Sequence, residues 1–307
     1  MSRETPAHLA ESVRQRLLNL ARRQGEDFQV TLNNYFLERF LYRLSRSAAH
    51  NRFVLKGALL LRLWAEIPYR ATLDLDLLRQ GGADQDAVAE DIRAICATIV
   101  EPDGVEFGTR ELALAPIRED QEYAGLRANF TAKLGNARTR LQVDIGVSDA
   151  VWPTPREETY PAMLEFPAPR VLTYSRAVVV AEKFEAMVVL GARNSRIKDF
   201  FDIHYLVTHF AFEGVELVEA IRRTFGRRKT PLQEEVPVGL TEEYWTQAGR
   251  DVQLRAFVRR ARMNVPPQTV SGIAPTLRKF LLPPWEALRN NEPFVQRWPA
   301  GGPWRKV

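Results

Sequence analysis

Asp74-Leu75-Asp76 places two carboxylates two residues apart, the spacing at which side chains of a β-strand share a face. Such a pair suits a hard divalent cation. Mg²⁺ takes a few carboxylates and completes its shell with substrate phosphate oxygens, so the pattern points to metal-assisted phosphoryl or nucleotidyl transfer. A bare D-x-D is common, and its weight depends on its company. A third acid, Asp144, lies in the alternating run Leu141-Gln142-Val143-Asp144-Ile145, and Lys56-Gly57-Ala58 stands upstream of the pair.

A second constellation begins at Ala177. On a helical projection Val179, Val180, Phe184, Ala186, Met187 and Leu190 form an apolar arc with Glu182 and Glu185 outside it, and Lys183 falls inside. An ammonium there must snorkel outward, pair with a carboxylate or meet an anion, because an unpaired buried charge is costly. Arg196-Ile197-Lys198-Asp199-Phe200-Phe201-Asp202 follows, with Asp199 and Asp202 on one helix face and Lys198 one turn from Asp202. Two alternatives stay open at this point. One is an ion-pair network of these acids with Lys183 or Arg196 that fixes a second lobe against the first. The other is direct service at a site, with Lys183 on a triphosphate and one aspartate orienting a nucleophile.

The elements that must carry these residues can be read from periodicity. Residues 8 to 48 read as helical, Phe53-Val54-Leu55 as a short strand, Ala58 to Trp64 as a short helix and Thr72 to Leu78 as the strand bearing the acid pair. Ala87 to Val100 is expected to be a helix with Val88, Ile92, Ile95 and Ile99 on one face. Strands are expected at Val105 to Thr109, Tyr123 to Thr131 and Thr139 to Val147. The prolines from Pro153 to Pro169 read as a connection between domains, giving residues 1–165 and 166–307, the latter mainly helical. Pro283-Pro284-Trp285 and Trp298 read as a packed terminal arm or a partner-binding tail, with packing the default.

Composition bounds the rest. The chain has 307 residues, 45% of them hydrophobic, and a single cysteine, which excludes an internal disulfide framework and a cysteine-based zinc cluster and suits a reducing compartment. Without an apolar signal core or a membrane-spanning run, it is expected to be cytoplasmic. Its net charge of +5 favours a polyanionic partner. Arg222, Arg223, Arg227, Arg228 and Lys229 form one basic cluster, and Arg255, Arg259, Arg260 and Arg262 another; each reads as a solvated helix end or a phosphate contact. His204 and His209 lie off a common helix face, so a zinc pair is not expected, and no P-loop, G-x-G-x-x-G or G-x-S-x-G signature is present.

Taken together, Phe53-Val54-Leu55-Lys56-Gly57-Ala58, the run Arg70 to Asp76, Ala181 to Ala186 and Ser195 to Asp202 resemble the AbiEii/AbiGii nucleotidyltransferase toxin family, to which MenT-like toxins belong. The likeness runs in order from about residue 10 to residue 285. It implies an α/β (α+β) fold: a polymerase-beta-like nucleotidyltransferase core with a mixed sheet, flanked by N-terminal helices and a helical C-terminal lobe. It further implies a toxin of a toxin–antitoxin or abortive-infection system active in phage defence, neutralised by a cognate antitoxin. Such an enzyme would use Mg²⁺ or Mn²⁺ to transfer NMP from NTP to an acceptor hydroxyl, the tRNA 3′ end foremost, blocking translation and growth. Matched residue by residue, Asp74, Asp76 and Asp144 would hold metal, with Asp144 helping to activate the attacking hydroxyl. Lys56, Gly57, Lys183 and Arg196 would meet the nucleotide, while Asp199 and Asp202 lie in the final motif. One departure is Gly57-Ala58, where many relatives carry a hydroxyl for the terminal phosphate. The rival readings are NMP transfer to a protein hydroxyl and a catalytically silent nucleotide- or RNA-binding partner.

Overall fold

The computed structural model describes residues 6–65, 74–82, 84–117, 125–148, 151–247, 249–260 and 267–307. The chain forms two compact units, Met1–Tyr174 and Ser175–Val307.

The first unit opens with helices α1 (Pro6–Gln24) and α2 (Phe28–Arg46). The helical region expected from 8 to 48 divides at Gly25, which takes a left-handed φ of 63°, and Asp27 then caps α2 by accepting from the Gln29 amide at 2.8 Å. Strand β1 (Phe53–Lys56) and helix α3 (Leu59–Trp64) follow. Next come β2 (Leu75–Gln80), helix α4 (Gln85–Ala97), β3 (Val105–Ile117), β4 (Gly125–Leu134), β5 (Ala137–Ser148), β6 (Arg156–Thr159) and β7 (Arg170–Thr173). The sheet runs β3-β4-β5-β2-β1-β7-β6, with β2 parallel to β5, β1 parallel to β7 and the remaining pairs antiparallel.

One sheet face is apolar and covered by helices. Leu126, Ala128, Phe130, Ala132 and Leu134 of β4 and Leu141, Val143 and Ile145 of β5 are buried, and Phe40 of α2 meets Phe130 at a ring separation of 5.4 Å. Helix α4 docks on the same face, where its Asp91 accepts from Arg79 Nε at 2.8 Å. Val88, Ile92 and Ile95 are buried as expected, but α4 ends at Ala97 and Ile99 is 95% exposed. Helix α2 is buried all round from Thr31 to Leu44, so its charges need internal partners. Arg43 forks onto Asp103 at 2.8 and 3.1 Å, while Glu38 pairs with Arg39 at 2.6 Å and accepts from the Met163 amide at 2.7 Å.

The proline-rich stretch is not a free connection. Strands β6 and β7 pair within it, the Tyr160 amide donates to the Pro169 carbonyl at 2.8 Å, and β7 lies along β1. The division therefore falls at Tyr174/Ser175, later than the expected 165/166.

The second unit comprises α5 (Arg176–Leu190), α6 (Ile197–His209), β8 (Phe212–Glu213), α7 (Gly214–Arg227), α8 (Glu242–Thr246), α9 (Arg250–Arg260), α10 (Pro267–Arg289), β9 (Gln296–Trp298) and β10 (Arg305–Lys306). The three strands form a small sheet in the order β10-β9-β8. Trp285 and Trp298 are core residues: Trp285 meets Phe184 edge-on at 5.5 Å, and Trp298 donates its indole N–H to the Val207 carbonyl at 2.8 Å. No described helix is long and apolar enough to cross a membrane.

Candidate active site

Strand register builds the site in the first unit. Lys56 of β1 is paired with Asp76 of β2, Asp76 with Asp144 of β5, and Asp144 with Arg127 of β4. Laterally paired residues point to one face, and neighbouring strands lie about 4.8 Å apart, so the four form a row in the order cation, acid, acid, cation. This face lies opposite the helix-covered one. Asp74 precedes β2 by one residue and is exposed, whereas Thr72 and Leu73, expected to begin that strand, lie outside the described residues.

Asp144 is held from the outer end of the row. Arg127 donates to it through Nε and Nη2, both at 2.8 Å, and Gln142 Nε2 lies 3.3 and 3.4 Å from the same two oxygens. The hydrogen bond to Asp144 raises the guanidinium pKa further; burial opposes this, and the charges of Asp144, Asp74 and Asp76 add to it. Arg127 thus registers the field of all three acids.

Asp76 is accommodated by Gly57. That residue turns the chain from β1 into α3 at φ 71°, and a Cβ there would fall 2.6 Å from Asp76 Cγ and nearer still to Oδ2. Gly57→Ala is expected to cost about 1–2 kcal/mol from the left-handed backbone and, by displacing Asp76, roughly 10²-fold in transfer rate. Urea unfolding and labelled-nucleotide transfer, run side by side, measure the two losses. Ala58 caps α3 without a side-chain hydrogen bond. The Lys56 ammonium lies over Gly146, where a Cβ would sit 3.4 Å from Nζ.

The donor set suits a hard cation, since the acids offer only carboxylate oxygens and Gly57 leaves the Asp76 carboxylate room. Among the described residues no three His, Cys, Asp or Glu side chains gather closely enough to hold an ion themselves. An ion here would complete its shell with water or, when NTP is bound, with substrate oxygens, as Mg²⁺ commonly does.

In the second unit Lys183 of α5 donates to Asp199 Oδ1 at 2.6 Å and Asp202 Oδ2 at 2.9 Å, both on α6. The Lys183 side chain is 14% exposed, Asp199 8% and Asp202 0%. Burial lowers the lysine pKa, but the two carboxylates outweigh it and drive the value well above the ordinary lysine range. Arg196 is exposed at the start of α6. The preceding turn is fixed by residues the motifs did not flag: Arg250 Nη1 and Tyr244 Oη both donate to the Asn194 carbonyl at 3.0 Å, and Asn194 Oδ1 accepts from the Arg196 amide at 2.8 Å.

The basic cluster at the end of α7, which reads as a solvated helix end or a phosphate contact, is largely committed to the unit's own acids. Arg227 pairs with Glu182 at 2.8 Å, Arg228 with Glu185 at 2.5 Å, and Arg222 and Arg223 with Glu219. Glu185, expected outside the apolar arc, is fully buried by its bonds to Arg228 and Thr230. In the second cluster Arg255 and Arg259 are exposed, and Arg262 lies outside the described residues. His204 is pushed down to about 4, chiefly by burial and then by His209, which keeps the imidazole neutral.

The sequence profile of the nucleotidyl transferase AbiEii toxin family, of type IV toxin–antitoxin systems, matches residues 39–290. The chain belongs to this family. It is a nucleotidyltransferase toxin, and membership implies an NTP substrate and an antitoxin partner. Among solved structures, the AbiEii chain is similar to MenT4, a nucleotidyltransferase toxin from Mycobacterium tuberculosis, with 18% identity and a TM-score of 0.51, covering 90% of this chain and 99% of that one. That likeness concerns the fold. JHP933 from Helicobacter pylori is more distant, at 11% identity and a TM-score of 0.42 over 86% of this chain and 98% of its own. No curated protein matches.

Proposed function

We propose that this AbiEii toxin transfers NMP from NTP to an acceptor hydroxyl, the 3′ end of tRNA foremost, and so blocks translation and growth. The observation that carries the reading is the row Lys56, Asp76, Asp144, Arg127, in which the strand register lines up two acids between two cations. Asp74, Asp76 and Asp144 would hold Mg²⁺ or Mn²⁺, which when bound supplies positive charge at the α-phosphate. Lys56 reaches over Gly146 and adds charge for the phosphates. Asp144 orients the acceptor hydroxyl and assists its deprotonation. The new O–P bond forms as the bond to the β-phosphate breaks, and pyrophosphate leaves. In the second unit Lys183 is a positioning residue that ties α5 to α6 through Asp199 and Asp202. The net charge of +5 favours an RNA acceptor.

The test incubates the protein with Mg²⁺, labelled NTPs and total tRNA. Label on RNA with pyrophosphate release is the expected result. Label on a protein would move the acceptor to a protein hydroxyl, and absence of both transfer and nucleotide binding would overturn the reading.

A further inference from the structure

We propose that Arg127 is a built-in counter-ion, which holds Asp144 while no metal is bound and releases it when a divalent cation enters, so that the two cations compete for one carboxylate. The inference rests on the proposed reading only in taking the acid row as the place the cation goes.

The geometry supports exchange in three respects. Both Asp144 oxygens are turned to the guanidinium, each at 2.8 Å, although the register puts Asp144 beside Asp76 on the same face. The carboxylate that would complete a metal site is therefore occupied from the outer flank of the row. Next, the Arg127 side chain is 42% exposed and Asp144 18%. A partly hydrated pair of this kind separates at small cost, unlike the enclosed Arg43–Asp103 bridge, whose side chains are 8% and 3% exposed. Finally, Gln142 Nε2 lies near the same oxygens and would keep Asp144 oriented once the guanidinium leaves. Released, Arg127 would stand beside the incoming triphosphate with its fork of donors open.

The balance of charge agrees. Within the row Lys56 and Arg127 flank Asp76 and Asp144, which offsets the repulsion between those two acids before substrate arrives. A dication arriving with a triphosphate replaces that internal compensation. Arg127 acts here as a positioning residue, through Asp144.

The test is titration of the nucleotide-free full chain with Mn²⁺, reading free Mn²⁺ by electron paramagnetic resonance. Arg127→Gln is expected to tighten Mn²⁺ binding about fivefold, the value of a partly exposed ion pair. Arg127→Lys, which keeps the charge but loses the fork, is expected to fall between Arg127→Gln and wild type. Arg140→Gln removes an exposed cation farther along the same strand face and is expected to leave the affinity unchanged. In an Asp144→Asn background the gain from Arg127→Gln should vanish. Unchanged or weaker binding by Arg127→Gln overturns the inference, as does an equal gain from Arg140→Gln or a wild-type affinity for Arg127→Lys. Failure of NMP transfer alongside the expected Mn²⁺ pattern would sink the transfer reading and leave the counter-ion in place.

Discussion

The Asp76→Asn protein is expected to unfold in urea much as the parent does while losing about 10³-fold or more of its NMP transfer. The asparagine has nearly the same shape, so it fits against Gly57 and preserves the β2–β5 register. What it removes is a negative charge midway along the row, next to Asp144 and opposite Lys56. If the acids hold a cation at the α-phosphate, that charge acts where negative charge develops in the transition state, and KM for NTP should change less than kcat. Asp144→Asn should show the same split, with Arg127 then deprived of its partner. Growth inhibition on expression in a bacterial host should disappear with both variants. An Asp76→Asn enzyme retaining a tenth of the wild-type rate would remove catalysis from the acid pair. A variant that lost transfer but still arrested growth would instead assign toxicity to binding.

The acid row was half legible in the sequence. Alternation marked β5 and the D-x-D marked β2, but nothing local says that Asp76 and Asp144 are laterally paired, since β2 and β5 are parallel neighbours separated by two other strands in the chain. Arg127 was missed although a signal existed. Gly135-Asn136 is a two-residue hairpin loop joining Leu134 to Ala137, with Gly135 at φ 57°, and counting outward from it pairs Arg127 with Asp144. Two other expectations failed for tertiary reasons. Prolines suggested a linker, yet β7 and β6 extend the sheet beyond β1, and helical projection put Glu185 outside the apolar arc although Arg228 and Thr230 bury it. Periodicity reports which face is apolar; it does not report which polar group another element will satisfy.

The Lys183→Met substitution is expected to destabilise the second unit by about 3–5 kcal/mol, because it leaves two buried carboxylates facing one another without their cation. Asp202 has no exposed side-chain surface and Asp199 only 8%, so water cannot replace the ammonium cheaply. Asp202→Asn should cost less than the lysine change, since one acid would still neutralise Lys183. Replacing all three residues by apolar ones of similar volume should recover much of the loss, as hydrophobic replacements of buried ion clusters commonly do. The pH dependence has a definite sign. Lys183 has a folded pKa raised above its unfolded one, so its contribution is fully present below the ordinary lysine value of about 10.4 and is lost only as pH rises through the folded value. The stability gap between wild type and Lys183→Met should therefore stay flat from about pH 6 to 9 and narrow only in strong alkali. Chemical denaturation across that range measures it. A gap below about 1 kcal/mol would mean that the geometry is held by packing around α5 and α6, whereas full stability with lost NMP transfer would make Lys183 a substrate contact rather than a positioning residue.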